Sequence, residues 1–136
     1  MKTNPYLIFN GTCAAAFEFY KRALGATAVS MTTFGESPMA DQVQANWRDK
    51  VIHARLQIGD VVVMASDSTP DRYQKPSGYS LTLSFEESAE AERAFQALSE
   101  NGNVQMPLQE TFWARRFGSV TDQFGTPWMI NREKPR

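Results

Sequence analysis

The sequence has one cysteine and one histidine in 136 residues, and these two shortages exclude a good deal. Cys13 has no second thiol to pair with, so no internal disulfide exists, and no paired Cys/His spacing suggests structural zinc. Stability has to come from packing. His53 is the single imidazole, so any neutral-pH base or imidazole ligand within one chain has to be this residue. Long apolar runs are lacking too. The opening MKTNPYLIFNG holds too short an apolar stretch for a signal segment or a membrane span, and a cytoplasmic protein is expected. Nor is there a block of like charge. Fourteen basic and fifteen acidic side chains leave a net charge of -1, without the basic footprint that nucleic acid or an anionic membrane requires.

What is present is a hydrophobic share of 42% in a chain the size of one ordinary domain. Tyr6 to Asn10 reads as a short strand. Thr12 is a good N-cap for a helix over Cys13 to Leu24, whose apolar stripe is Ala16, Phe17, Tyr20, Ala23 and Leu24, with Gly25 ending it. Ala26 to Phe34 favours a strand through its threonines and Val29. Gly35 to Lys50 is polar and reads as a long loop with a helical turn around Asp41 to Trp47; such loops often cover binding sites. Val51 to Ile58 alternates, with Ile52, Ala54, Leu56 and Ile58 on one face and His53, Arg55 and Gln57 on the other. Gly59-Asp60 signals a hairpin into Val61 to Ala65. A loop from Ser66 to Gly78 follows.

The second half repeats this grammar: an alternating strand over Tyr79 to Phe85, and a helix over Ser88 to Glu100 with Ala91, Ala94, Phe95 and Leu98 buried. Strands are expected at Val104 to Met106, around Trp113 to Val120, and at Trp128 to Asn131, the last two joined by a tight turn at Asp122-Gln123-Phe124-Gly125. Each half thus reads strand, helix, three strands. The fold class is α+β.

Charge and large rings meet around Gln109 to Ile130, as in a pocket wall. His53 is a candidate acid/base group, against a half-exposed strand histidine bonded to a neighbour. Glu110 precedes an aromatic pair that would desolvate it, or it pairs with Arg115 or Arg116. On a strand those two arginines point to opposite faces. An inward one would hold a carboxylate or phosphate through its planar fork, against a surface ion pair. Phe112, Trp113, Trp128, Tyr6 and Phe9 are expected more in the core than on a ligand surface. Cys13 sits in a first helical turn, where the dipole can activate a thiol, but it reads as packing.

The segments NPYLIFNG, FEFYKRALG, HARLQIGD, MASD, QETFWARRFG and DQFGTPWMIN resemble the PhnB-like branch of the vicinal oxygen chelate superfamily, the group of glyoxalase I, bleomycin-resistance proteins and extradiol dioxygenases. The resemblance covers nearly the whole chain. It implies two βαβββ modules, over residues 1–67 and 78–136, curving around a pocket for a small molecule, commonly in a homodimer. It favours Arg116 as the inward arginine. Metal-dependent members take a ligand from the first and last strand of each module; those places fall on Pro5 or Tyr6, Met64, Ser80 and Met129. None is His, Glu or Asp, so the usual metal site is expected to be lost. The same alignment turns Ser80, Thr82, Ser84, Met64 and Met129 toward the cavity, with Arg55, Trp113 and Arg116 as further contacts. A divalent metal held by His53 and Glu110, or those two as an acid/base pair, stays open beside plain ligand binding. The methyltransferase activity associated with the branch name finds no support, since no Gly-rich loop follows a strand in a Rossmann-like unit.

Overall fold

The computed structural model describes residues 1–134. The chain divides into two compact units, Met1–Gln74 and Lys75–Arg136. In the first, the elements are β1 (Tyr6–Phe9), α1 (Cys13–Leu24), β2 (Thr27–Thr33), β3 (Val51–Ile58) and β4 (Val61–Asp67). They form a mixed sheet in the order β1-β4-β3-β2, with β1 parallel to β4 and the other pairs antiparallel.

Helix α1 buries Cys13, Ala16, Phe17, Phe19 and Tyr20 against alternate strand residues Leu7, Phe9, Ala54, Leu56, Val63 and Ala65, all buried. The buried stripe lies nearer the helix start than Ala23 and Leu24 suggest; both are half-buried. Gly25 ends the helix at φ +67° and returns its N–H to the Lys21 carbonyl. The start is closed differently from the expectation. Thr12 makes no side-chain cap; instead Asp67 Oδ1 accepts from the Cys13 N–H and Oδ2 from the Val51 N–H, each at 2.9 Å. A buried carboxylate at the end of β4 thus fastens a helix terminus and the start of β3 at once. Strand β4 consequently runs two residues beyond Ala65.

Residues 34–50 form three 3-10 turns, at Phe34–Glu36, Ala40–Gln42 and Ala45–Trp47. A capping box between Thr33 and Glu36 starts the first. The segment is tied at its base, Phe34 and Gly35 donating to the Lys50 and Arg48 carbonyls, and Lys50 Nζ reaches the Gly11 carbonyl at 3.1 Å. It is therefore anchored on the turn between β1 and α1.

The second unit comprises β5 (Leu81–Ser84), α2 (Ser88–Ser99), β6 (Asn103–Gln109), β7 (Ala114–Thr121) and β8 (Pro127–Glu133). The sheet order β5-β8-β7-β6, with β5 parallel to β8, repeats the first unit's plan. Ala91, Ala94 and Leu98 of α2 are buried, Phe95 half-buried. Strand β5 is shorter than expected: Tyr79 lies outside it and is 49% exposed. Gly118 is required by packing, because a Cβ there would stand 2.8 Å from Phe95 Cε2 and 3.0 Å from the Leu108 Cα. The hairpin between β7 and β8 is held by Asp122, whose Oδ1 accepts from the Phe124 and Thr126 N–H groups, while Gly125 takes φ +91°. Asp122 Oδ2 also accepts the indole N–H of buried Trp128 at 2.8 Å.

Candidate functional site

Each unit has one helix, and strand alternation sends every second side chain away from it. In the first unit the helix-free parity holds Tyr6, Ile8, His53, Arg55 and Met64. Tyr6 pairs with Met64 across β1 and β4, and Met64 with Arg55 across β4 and β3, so the three lie in one row. Tyr6 was expected in the core; it is 43% exposed because β1 spends its alternate residues, Leu7 and Phe9, on α1. Its Oη lies 3.4 Å from His53 Nδ1, with the rings tilted at a centroid separation of 5.9 Å. Arg55 is exposed, and its Nη2 reaches the Met64 sulfur at 3.9 Å.

In the second unit the even-numbered residues of β7 face α2, as Gly118 shows by its closeness to Phe95. Arg116 therefore points to the helix side, where Nε meets Glu92 Oε1 at 3.3 Å. The expected inward arginine is a half-exposed ion pair on the wrong face. Its neighbour Arg115 is exposed and sits at a register irregularity between Ala114 and Arg116, while Phe117 and Ser119 take the helix-free face. Register adds Thr82 beside Met129, and Met129 beside Ser119. Trp113 stacks edge-on against Phe117 at 5.2 Å and against Phe112 at 4.7 Å. Phe112 and Trp113 are exposed, not core, whereas Trp128 is core. Asn131 Nδ2 stands 3.5 Å from Ser84 Oγ, and its buried Oδ1 has no partner. Ser80 lies before β5 and is half-buried.

Glu110 is not desolvated. Its side chain is 66% exposed and pairs with Lys134 Nζ at 3.5 Å, not with Arg115 or Arg116. His53 and Glu110 thus belong to different units, each with its own neighbour.

The divalent ion that the resemblance implies for metal-dependent members needs about three His, Cys, Asp or Glu ligands. Tyr6, Met64, Ser80 and Met129 offer no carboxylate or imidazole, and among the described residues no three His, Cys, Asp or Glu side chains come together. The described residues at those places do not fit such an ion.

Cys13 is fully buried. Burial, and then the nearby Asp67 carboxylate, push its thiol up from 9.0 to about 12, the reverse of activation by a helix start. Sequence reasoning missed Asp67 and Phe117. An acid closing an apolar strand was a visible signal for the first. The second stood inside the quoted QETFWARRFG motif but drew no attention beside the arginines.

The fold and the two helix-free sheet faces define a class, and the chain belongs to it: the model of the Glyoxalase/Bleomycin resistance protein/Dioxygenase superfamily matches residues 2–130. The PhnB-like motifs read in the sequence fit that membership. Among its relatives, protein YjdN of Escherichia coli K12 is 41% identical, across 96% of this chain and 95% of that protein. The crystal structure of PA1353 from Pseudomonas aeruginosa is 48% identical, with a TM-score of 0.88 and 99% of both chains covered. The PhnB protein of Bacillus cereus shares the fold at 24% identity, with a TM-score of 0.82 over 97% of this chain and 99% of that one.

Proposed function

We propose that the protein binds a small organic molecule on a helix-free sheet face and that binding, not metal chemistry, is its primary task. The observation that carries this is the composition of the helix-free faces. On the first unit's face the large side chains of Tyr6 and Ile8 stand with His53, Arg55 and Met64; on the second unit's face Trp113 and Phe117 stand with Ser119, Met129 and Thr82. Such a mixture of rings, thioether and a few oriented polar groups is how small-molecule sites are built. Met64 and Met129 supply adaptable contact surface. The bleomycin-resistance part of the superfamily offers the analogy of a module that holds a ligand without transforming it. A homodimer working in the cytoplasm is part of the same proposal; no helix among the described residues is long and apolar enough to cross a membrane.

The test is a thermal-shift screen of small metabolites. A ligand present at about a hundred times its Kd should stabilise the fold by about 2.7 kcal/mol. The shift should disappear in Tyr6→Ala or Trp113→Ala. A broad screen with no stabilising compound would sink the reading.

A second reading is favoured by one contact, Tyr6 Oη beside His53 Nδ1. A tyrosine that orients an imidazole can support proton abstraction from a carbon acid, with His53 taking the proton and returning it. Glu110, exposed and paired with Lys134, is no part of this version. Deuterium uptake from solvent at the acidic carbon of an added substrate, followed by NMR, should stop in His53→Gln; unchanged uptake in that variant would reject the enzyme reading.

A further inference from the structure

We infer that the helix-free face of the first unit is an oxyanion subsite, so that the ligand is an organic anion with a carboxylate or phosphate head. The inference rests on the small-molecule reading above and names its ligand class.

The argument starts from Arg55. It sits in the middle of β3, in a cross-strand row with Ser30 on one side and Met64 and then Tyr6 on the other. Among the described residues its guanidinium has only a thioether, a weak acceptor, as hydrogen-bond partner. Arg116 is engaged by Glu92, Arg48 by Asp41, and Arg132 by the Glu86 carbonyl and Ser88 Oγ. Arg55 therefore presents its donor fork with no acceptor oxygen, the geometry that suits a planar carboxylate or a phosphate. His53 lies two residues along the same strand, roughly 7 Å away by strand rise. It shares the Arg55 side of the sheet, and it stands beside the Tyr6 hydroxyl. Three side chains able to donate to one anion thus share a face.

The same parity has no counter-charge. Tyr6, Ile8, Ser30, Thr32, His53, Arg55, Gln57, Val62, Met64 and Ser66 include no acid, and the sheet's own carboxylate, Asp67, is buried on the opposite side, held by two backbone N–H groups. A cationic ligand would meet repulsion here, whereas an anion finds a fork and hydroxyl donors. Ile8 and the Tyr6 ring, each about two-fifths exposed, offer an apolar surface for the body of the molecule. A bare inorganic ion would leave that surface unused, so the class is an organic anion.

The experiment is an amide-shift NMR titration of the full chain with benzoate, phenyl phosphate and neutral benzamide. Benzoate or phenyl phosphate should bind at least about tenfold more tightly than benzamide, moving amides of β1, β3 and β4; the stronger of the two identifies the head group. Arg55→Gln, a shorter side chain that still forms hydrogen bonds but carries no charge, should erase that preference while unfolding at the wild-type temperature. Equal binding of benzamide and benzoate on these strands would overturn the oxyanion assignment and leave the small-molecule reading standing. Anion preference that persists in Arg55→Gln would overturn it also. Silence from all three probes would count against both.

Discussion

Both units bury an aspartate, and they spend it in different places. In the first, Asp67 ends the last strand and reaches across to the start of α1 and of β3. In the second, the last strand presents Arg132 at the start of α2, bonded to the Glu86 carbonyl and Ser88 Oγ, and α2 has no side-chain cap. The buried acid has moved to the β7–β8 hairpin, where Asp122 collects two turn N–H groups and the Trp128 indole. One topology is thus closed in one case at a helix entrance and in the other at a turn. A buried carboxylate is tolerated wherever backbone donors surround it, and each unit has its donors at a different orphaned spot.

The largest expected effects test this pairing directly. Asp122→Ala removes the acceptor for at least three donors and should cost about 4 kcal/mol; Asp67→Ala strands two and should cost about 3 kcal/mol. Urea unfolding of both variants checks the order, and a neutral Asp67→Ala would mean that the helix start is satisfied without it. Next comes Gly118→Ala. Its new methyl group meets the Phe95 ring and the backbone of β6, so a loss of roughly 2 kcal/mol is expected. Gly59→Ala is a useful contrast, since nothing lies within 4 Å of a Cβ there and only the positive φ resists it.

A third effect is confined to alkaline pH. Native Cys13 keeps its proton to about 12, while the unfolded thiol releases it near 9.0. Above pH 9 the unfolded state binds fewer protons than the native one, so stability falls as pH rises from 9 toward 12. Cys13→Ala should flatten that part of the decline, read from urea midpoints at pH 8 and pH 10. The thiol should also resist alkylation at pH 8 until the protein unfolds. The smallest effect belongs to Arg116→Ala, where a half-exposed pair with Glu92 should contribute no more than about 1 kcal/mol. A loss of several kcal/mol would show that Arg116 does more than pair at the surface.

Much of the fold was legible because it depends on local rules. The alternation of Val51 to Ile58, the apolar stripe of Ala16, Phe17 and Tyr20, Gly25 and the Asp122 to Gly125 turn each declare their element within a few residues. Strand ends were less legible. Asn103–Gln109 contains Pro107, which an edge strand such as β6 tolerates but which makes a short sequence look like a break. The candidate site was read less well. Arg115 and Arg116 were expected on opposite faces, but which face meets the helix is a matter of register, which is irregular there, and Arg116 proved to be the helix-side residue. Tyr6, Phe112 and Trp113 were expected inside by residue type, but Tyr6 stands on the parity of β1 that α1 does not cover, and Phe112 and Trp113 lie in the bend before β7, outside any strand.

By itself the sequence determined the α+β class, the doubled strand-helix-three-strand order and the absence of an internal disulfide bond, since these follow from residue identity and local periodicity. The tertiary structure alone decided that Asp67 caps α1 from 54 positions away, that Tyr6 stands beside His53, and that Arg55 rather than Arg116 is left with its charge unmatched. Those are long-range contacts, made by sheet order and register, and no local pattern encodes which side chain will arrive opposite which.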